Sequence, residues 1–203
     1  ADTLGSRSTA LGRGALLVQN FTTATETWNV AVGNYTGGAL TVGLKNVLVG
    51  SLAGDALTDA DFNVAMGHGA LSTDTLGSKS VALGYAALST QNFTTATDSY
   101  NTAVGYTAGT AVTTGINNTL IGALVGDALT DADYNVGVGV GSLGTDTKGN
   151  RSVAIGINAL YTQNFTTSTD TYNTAVGYEA GKAVTTATPV SYTHLRAHET
   201  DSY

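Results

Sequence analysis

Two acidic clusters carry the most recognisable chemistry in this chain. Asp55, Asp59 and Asp61 recur 72 residues later as Asp127, Asp131 and Asp133. Carboxylates gathered on a turn are the hard oxygen ligands that Ca²⁺ takes, and the same residue type also caps turns through its own backbone. The spacing matches neither an EF-hand loop nor the glycine-rich calcium nonapeptide. Turn capping is therefore the expected role and no metal site is expected, with calcium the weaker alternative at these six aspartates. His68 is the only histidine before residue 190, and Val140 stands at the matching position of the next long repeat. A catalytic or metal-binding histidine needs partners, so His68 is expected to be an ordinary surface or turn residue. No nucleophile elbow, phosphate loop or paired-histidine motif is present. Neither catalysis nor a cofactor is expected.

The aromatic residues suggest recognition instead. Gln19-Asn20-Phe21-Thr22-Thr23 returns at Gln91 and Gln163, and each stretch runs on to an aromatic residue: Trp28, Tyr100 and Tyr172. On protruding loops, Trp28, Phe93, Tyr100 and Tyr172 could stack on a sugar or a protein partner. The competing expectation is that Phe21, Phe93 and Phe165 pack the loops back onto the body.

These residues are positioned by a repeat. A pentad of the form Asn101-Thr102-Ala103-Val104-Gly105 occurs ten times, ending at Gly12, Gly33, Gly50, Gly67, Gly84, Gly105, Gly122, Gly139, Gly156 and Gly177. The steps between glycines are 21, 17, 17, 17, 21, 17, 17, 17 and 21 residues, which gives the longer period of 72. Such regularity means a stacked array in which each unit buries its apolar face only on its neighbours. The residue before the glycine is aliphatic or Met in every copy, as at Val32, Val104, Ile155 and Val176, and the residue two earlier is β-branched. A period of two with these residues is a short strand, and the large aliphatic positions are expected to face the core. The opposite face carries Ala or Gly, with Leu at Leu48 and Leu120. Each pentad opens on Asn or Ser, as at Asn29 and Asn101, where stacked amides can bond from coil to coil. Ala recurs three residues past most of the glycines and is expected to mark a second short strand.

Seventeen residues are too few for a crossover helix in each unit. The expected fold is all-β: a parallel β-roll or β-solenoid of about ten 17- or 21-residue coils, roughly 45 Å long at the usual strand spacing. The extra residues of the longer steps should protrude every fourth coil. A core this thin argues for an oligomer that buries more surface.

Composition fits such a rod. Hydrophobic residues make up 42% and charged residues 11% of the chain, with 26 glycines. With a net charge of −7 and no Lys or Arg cluster to meet a phosphate backbone, no nucleic-acid partner is expected. Cysteine is absent, and no apolar run is long enough to insert directly into a membrane. Residues 1–188 are expected to be the repeat array, a fragment that opens inside a repeat. Residues 189–203 depart from it, and the run from Val190 to Thr200 resembles a translated sequencing-library adapter.

Asn-Val-Ala-Val-Gly and Ser-Val-Ala-Ile-Gly, with Ala following a few residues on, resemble the head repeats of trimeric autotransporter adhesins, and similar repeats occur in phage tail-fibre-like proteins. The resemblance spans residues 8 to about 181. It implies a left-handed parallel β-roll, a homotrimer, a place at the bacterial surface or on a virion, and attachment to a host protein or glycan. The steps here are longer than in compact adhesin heads.

Overall fold

The computed structural model describes residues 4–193. Among them, eleven short strands form one parallel sheet, ordered along the chain from Thr9–Leu11 to Ser191–Thr193. Neighbouring pentads pair in strict register: Thr102 opposite Thr119, Ala103 opposite Leu120 and Val104 opposite Ile121. A β-solenoid of about ten turns results, with no helix among the described residues. Ser191–Thr193 continues the sheet against Thr174–Val176. Parallel pairing uses backbone groups, which the change in side chains at Val190 leaves intact.

The strand faces are the reverse of the expectation. Ala31, Leu48, Ala65, Ala82, Ala103, Leu120, Ala154 and Ala175 are buried, while Leu11, Met66, Ile121, Ile155 and Val176 are exposed and Val32 and Val104 half-buried. The physical reason is the narrowness of the coil. The opposite wall contributes most of the bulk, which leaves room mainly for Ala on the strand wall, with Leu admitted only at Leu48 and Leu120, and the other large aliphatic side chains point outward.

That opposite wall holds one large apolar residue per coil at one of two positions. Leu71, Leu88, Leu143 and Leu160 occupy the first; Leu40, Leu57, Val112, Leu129 and Val184 occupy the second, three residues further along the coil. Glycine takes the first position when the second is apolar, and a Cβ on Gly126 would lie 2.7 Å from Leu129 Cδ1 and 3.0 Å from Leu120 Cδ2. The same compensation appears beside Val125, the largest residue of an Ala column. The facing strand there carries Gly137, whose added Cβ would meet Val125 Cγ2 at 2.7 Å. Each buried Leu stabilises its coil by about 1.5–3 kcal/mol.

The expected second strand is instead a run of turns. Their backbone groups still pair from coil to coil, as from Leu52 N to Asn34 O (3.0 Å) and from Gly54 N to Ala70 O (2.9 Å). Among the described residues a second pairing forms only where a long step lies against the coil before it, between Gly5–Ser6 and Thr25–Glu26, Gly77–Ser78 and Thr97–Asp98, and Gly149–Asn150 and Thr169–Asp170.

The asparagines form the expected ladder, and it is buried. Asn101 Oδ1 accepts from Asn118 N at 2.9 Å, and Asn118 Oδ1 accepts from Asn135 N at 3.0 Å. Each Nδ2 donates to a carbonyl on the far side of the coil, Asn118 to Ala132 O at 2.8 Å and Asn101 to Gly115 O at 2.7 Å. Asn29 does the same with Gly43 O and Asn46 N. Ser replaces Asn at Ser80 and Ser152, just before a long step, and the inserted residues supply what is missing. Gln91 Oε1 accepts from Asn101 Nδ2 at 2.9 Å, and Gln91 Nε2 donates to Ser80 Oγ at 2.8 Å and to Asp74 Oδ2 at 2.6 Å. Asp74 is fully buried, and its other oxygen accepts from Gly77 N and Phe93 N. The 21-residue coil thus carries a satisfied polar network in place of the ladder rung.

The pentad glycine is required by geometry. Gly105 has φ +143°, and a Cβ there would sit 2.2 Å from the Gly122 carbonyl oxygen of the next coil. Gly33, Gly156 and Gly177 repeat the positive φ, at +142°, +131° and +132°.

Candidate binding surfaces

The outward strand face is a continuous aliphatic surface. Val30, Val47, Val64, Val81, Val136 and Val153 form one column, with Thr102, Thr119 and Thr174 interspersed; Val32, Val49, Met66, Leu83, Val104, Ile121, Val138, Ile155 and Val176 form the next. Over three residues and ten coils its footprint is roughly 10 by 45 Å, at the upper end of what a single soluble chain exposes. Just past it, His68, Tyr85 and Tyr106 stack in successive coils, with ring centroids 5.6 and 5.3 Å apart and interplanar angles of 13° and 11°. The surface position expected for His68 is met, with Tyr85 as its neighbour. Including this column, the footprint approaches about 750 Å², the scale of one partner's share in a standard protein interface.

A second surface lies on the corner where the chain enters the strand. The residue before each Asn or Ser is, in coil order, Arg7, Trp28, Lys45, Phe62, Lys79, Tyr100, Asn117, Tyr134, Arg151 and Tyr172. Cation and aromatic alternate except at Asn117, which takes a cation's place, and cations lie over neighbouring rings: Arg7 4.7 Å from the Trp28 centroid, Lys45 5.0 Å from Phe62, Lys79 5.2 Å from Tyr100, and Arg151 4.8 Å from Tyr134 and 5.9 Å from Tyr172. Three of the cations also meet a carboxylate from a long step: Arg7 with Glu26 (2.8 Å), Lys79 with Asp98 (2.5 Å) and Arg151 with Asp170 (3.1 Å). The Lys79 hydrogen bond holds the Asp98 carboxyl below its ordinary pKa and raises that of Lys79. Lys45 has no carboxylate partner among the described residues.

The long-step loops divide as their chemistry dictates. Phe93 is only 6% exposed, and Phe21 and Phe165 are likewise buried, so the phenylalanines close the loops against the coil. Phe93 is therefore withdrawn from the partner-facing set. Thr94, Thr95 and Ala96 remain exposed, as do Trp28, Tyr100 and Tyr172. Phe62 and Tyr134 belong with these three, although neither ends a long step. Their signal in the sequence was the residue preceding the pentad, read down all ten copies.

The aspartates are largely engaged in coil-to-coil contacts. Asp61 Oδ1 accepts from Leu44 N and Asp133 Oδ1 from Ile116 N, each at 2.7 Å. Asp131 accepts from Thr130 Oγ1 at 3.2 Å and pairs with Lys148 at 3.4 Å. Asp59 is exposed. Among the described residues no three His, Asp or Glu side chains gather in a way that could hold a metal ion. Burial raises the pKa of Asp55, Asp127 and Asp133, and Asp55 Oδ1 is buried with no hydrogen-bond partner among the described residues.

Compared with known proteins, the chain matches no family model, no curated protein and no solved structure. Among the described residues, no helix is long and apolar enough to cross a membrane.

Proposed function

We propose that this chain is a non-enzymatic repeat rod of a trimeric surface adhesin, in which three copies cover one another's aliphatic sheet faces and hold the outer corners toward a host or environmental surface. The observation that carries the reading is the outward column from Val32 to Val176. An array that needed only to fold could place polar residues there, as one-sided sheets do. Here the position before the glycine is aliphatic in nine copies and Met in the tenth. Covering them is worth about 25 cal/mol per Å², and a closed cyclic assembly covers every copy equally. The resemblance of the pentads to adhesin head repeats supports the same arrangement and a site outside the cell.

Sedimentation equilibrium tests this. The chain should associate as a trimer at micromolar concentration, and a Val104→Asp, Ile121→Asp double variant should be monomeric with unchanged circular dichroism. A wild-type chain that stays monomeric at tens of micromolar would overturn the reading.

A further inference from the structure

The corner column combines three independent features. The first is conformational. Every one of its ten residues has positive φ, from 51° at Tyr100 to 64° at Arg7, a region that non-glycine residues enter only with strain. The solenoid has two other such corners. At the corner four residues past the pentad glycine, Gly fills five of ten copies, including Gly37, Gly54 and Gly109; at the corner two residues past it, Gly fills three, Gly14, Gly69 and Gly141. At the corner before the pentad, glycine never appears. The strain is borne ten times there, so the side chains at that corner do something a glycine could not.

The second feature is period. Aromatic residues stand at every second coil, Trp28, Phe62, Tyr100, Tyr134 and Tyr172, all between 45% and 58% exposed. Two coils advance about 9.6 Å at the usual strand spacing, which is close to the advance of two pyranose rings in an extended, equatorially linked chain. The third is the polar setting. Cations and the carboxylates Glu26, Asp98 and Asp170 flank the rings, and they supply the donors and acceptors that sugar hydroxyls need beside an apolar ring surface.

We infer that this corner binds a linear polysaccharide of equatorially linked pyranoses lying along the rod, one disaccharide to every two coils. This rests on the adhesive reading above and names the ligand of its outer edge. A neutral chain would use ring contacts and hydroxyl bonds. A chain with one uronate per disaccharide would add an ion pair to Lys45, the cation without a carboxylate partner among the described residues.

The experiment is calorimetric titration of the full chain with cellohexaose, chitohexaose and a hyaluronan oligosaccharide, with maltohexaose as the axially linked control. The variant is Tyr100→Asn, Tyr134→Asn, chosen because Asn tolerates positive φ and because Asn117 already stands between the two in the column. The expected result is binding to at least one equatorially linked chain, strengthening with chain length, and weakened about tenfold or more in the variant. Loss of affinity with salt assigns the uronate-bearing source, and insensitivity to salt the neutral one. No binding to any of the three, equal binding by the variant, or equal binding of maltohexaose overturns the inference. Sedimentation of the same samples separates the two proposals: a trimer that ignores these sugars loses only the ligand, and a monomer that binds them loses only the trimer.

Discussion

Replacing Asn118 with Ala removes one rung of the buried ladder, and the cost follows from the bonds it makes. Asn118 is fully buried. Its Oδ1 accepts from Asn135 N at 3.0 Å, and its Nδ2 donates to Ala132 O at 2.8 Å and to Asn101 Oδ1 at 3.2 Å. In the variant, Asn101 Oδ1 keeps the Asn118 backbone N–H at 2.9 Å, but the Asn135 N–H and the Ala132 carbonyl are left without these partners. At about 1–3 kcal/mol for each of the two orphaned groups, the loss should be about 2–6 kcal/mol. Asn118→Ser should recover little of it. Serine succeeds at Ser80 because Gln91 completes the network, whereas coil seven has Leu129 at the position of Gln91. Urea unfolding at one fixed protein concentration measures the change, and amide exchange at Asn135 localises it. A loss below about 0.5 kcal/mol, with the Asn135 amide still protected, would refute the ladder as a source of stability.

Leu120→Ala should cost about 2–5 kcal/mol by the cavity it leaves among Gly109, Gly126 and Leu129, read by the same unfolding curves. Gly105→Ala should disrupt its coil, since its Cβ would strike the Gly122 carbonyl; a variant with native circular dichroism and unfolding midpoint would contradict the stacking. Asp55 and Asp127 have folded pKa values raised above the ordinary 3.8 by burial. Their contribution to stability is therefore full below that value and is lost as pH rises through the raised one. Asp55→Asn should then melt slightly higher than wild type at neutral pH, with the difference vanishing in acid, and a wild type that melts higher at neutral pH would contradict the sign.

Much of the fold was legible because the signal was repeated. The glycine spacing gave the parallel stacking and its register, and Asn at the head of the pentads gave the ladder. The sheet's inward face was not legible from hydrophobicity, since in an ordinary sheet the larger aliphatic residues, such as Val104 and Ile155, belong inside. In a coil this narrow, interior volume decides instead, and it admits Ala103 and Ala154. Two features pointed that way: Leu48 and Leu120 lie on the small-residue face, and Leu and Gly trade places along the opposite wall. Likewise Ala86 and Ala87, expected in a second strand, lie in a turn because residue 86 adopts φ +52°, a choice that alanine does not advertise. The corner column was half visible in Trp28, Tyr100 and Tyr172. Phe62 and Tyr134 stand outside the long steps, and their signal lies only in the residue preceding the pentad, read down all ten copies.

Thiol reactivity tests most directly which side of the sheet is covered by what. The chain contains no cysteine, so Ala103→Cys and Val104→Cys variants each report one site. Ala103→Cys should resist labelling at every concentration at which the chain is folded. Val104→Cys should react readily in dilute solution and become protected as copies associate. Rapid labelling at residue 103 together with protection at residue 104 at every dilution would contradict the account.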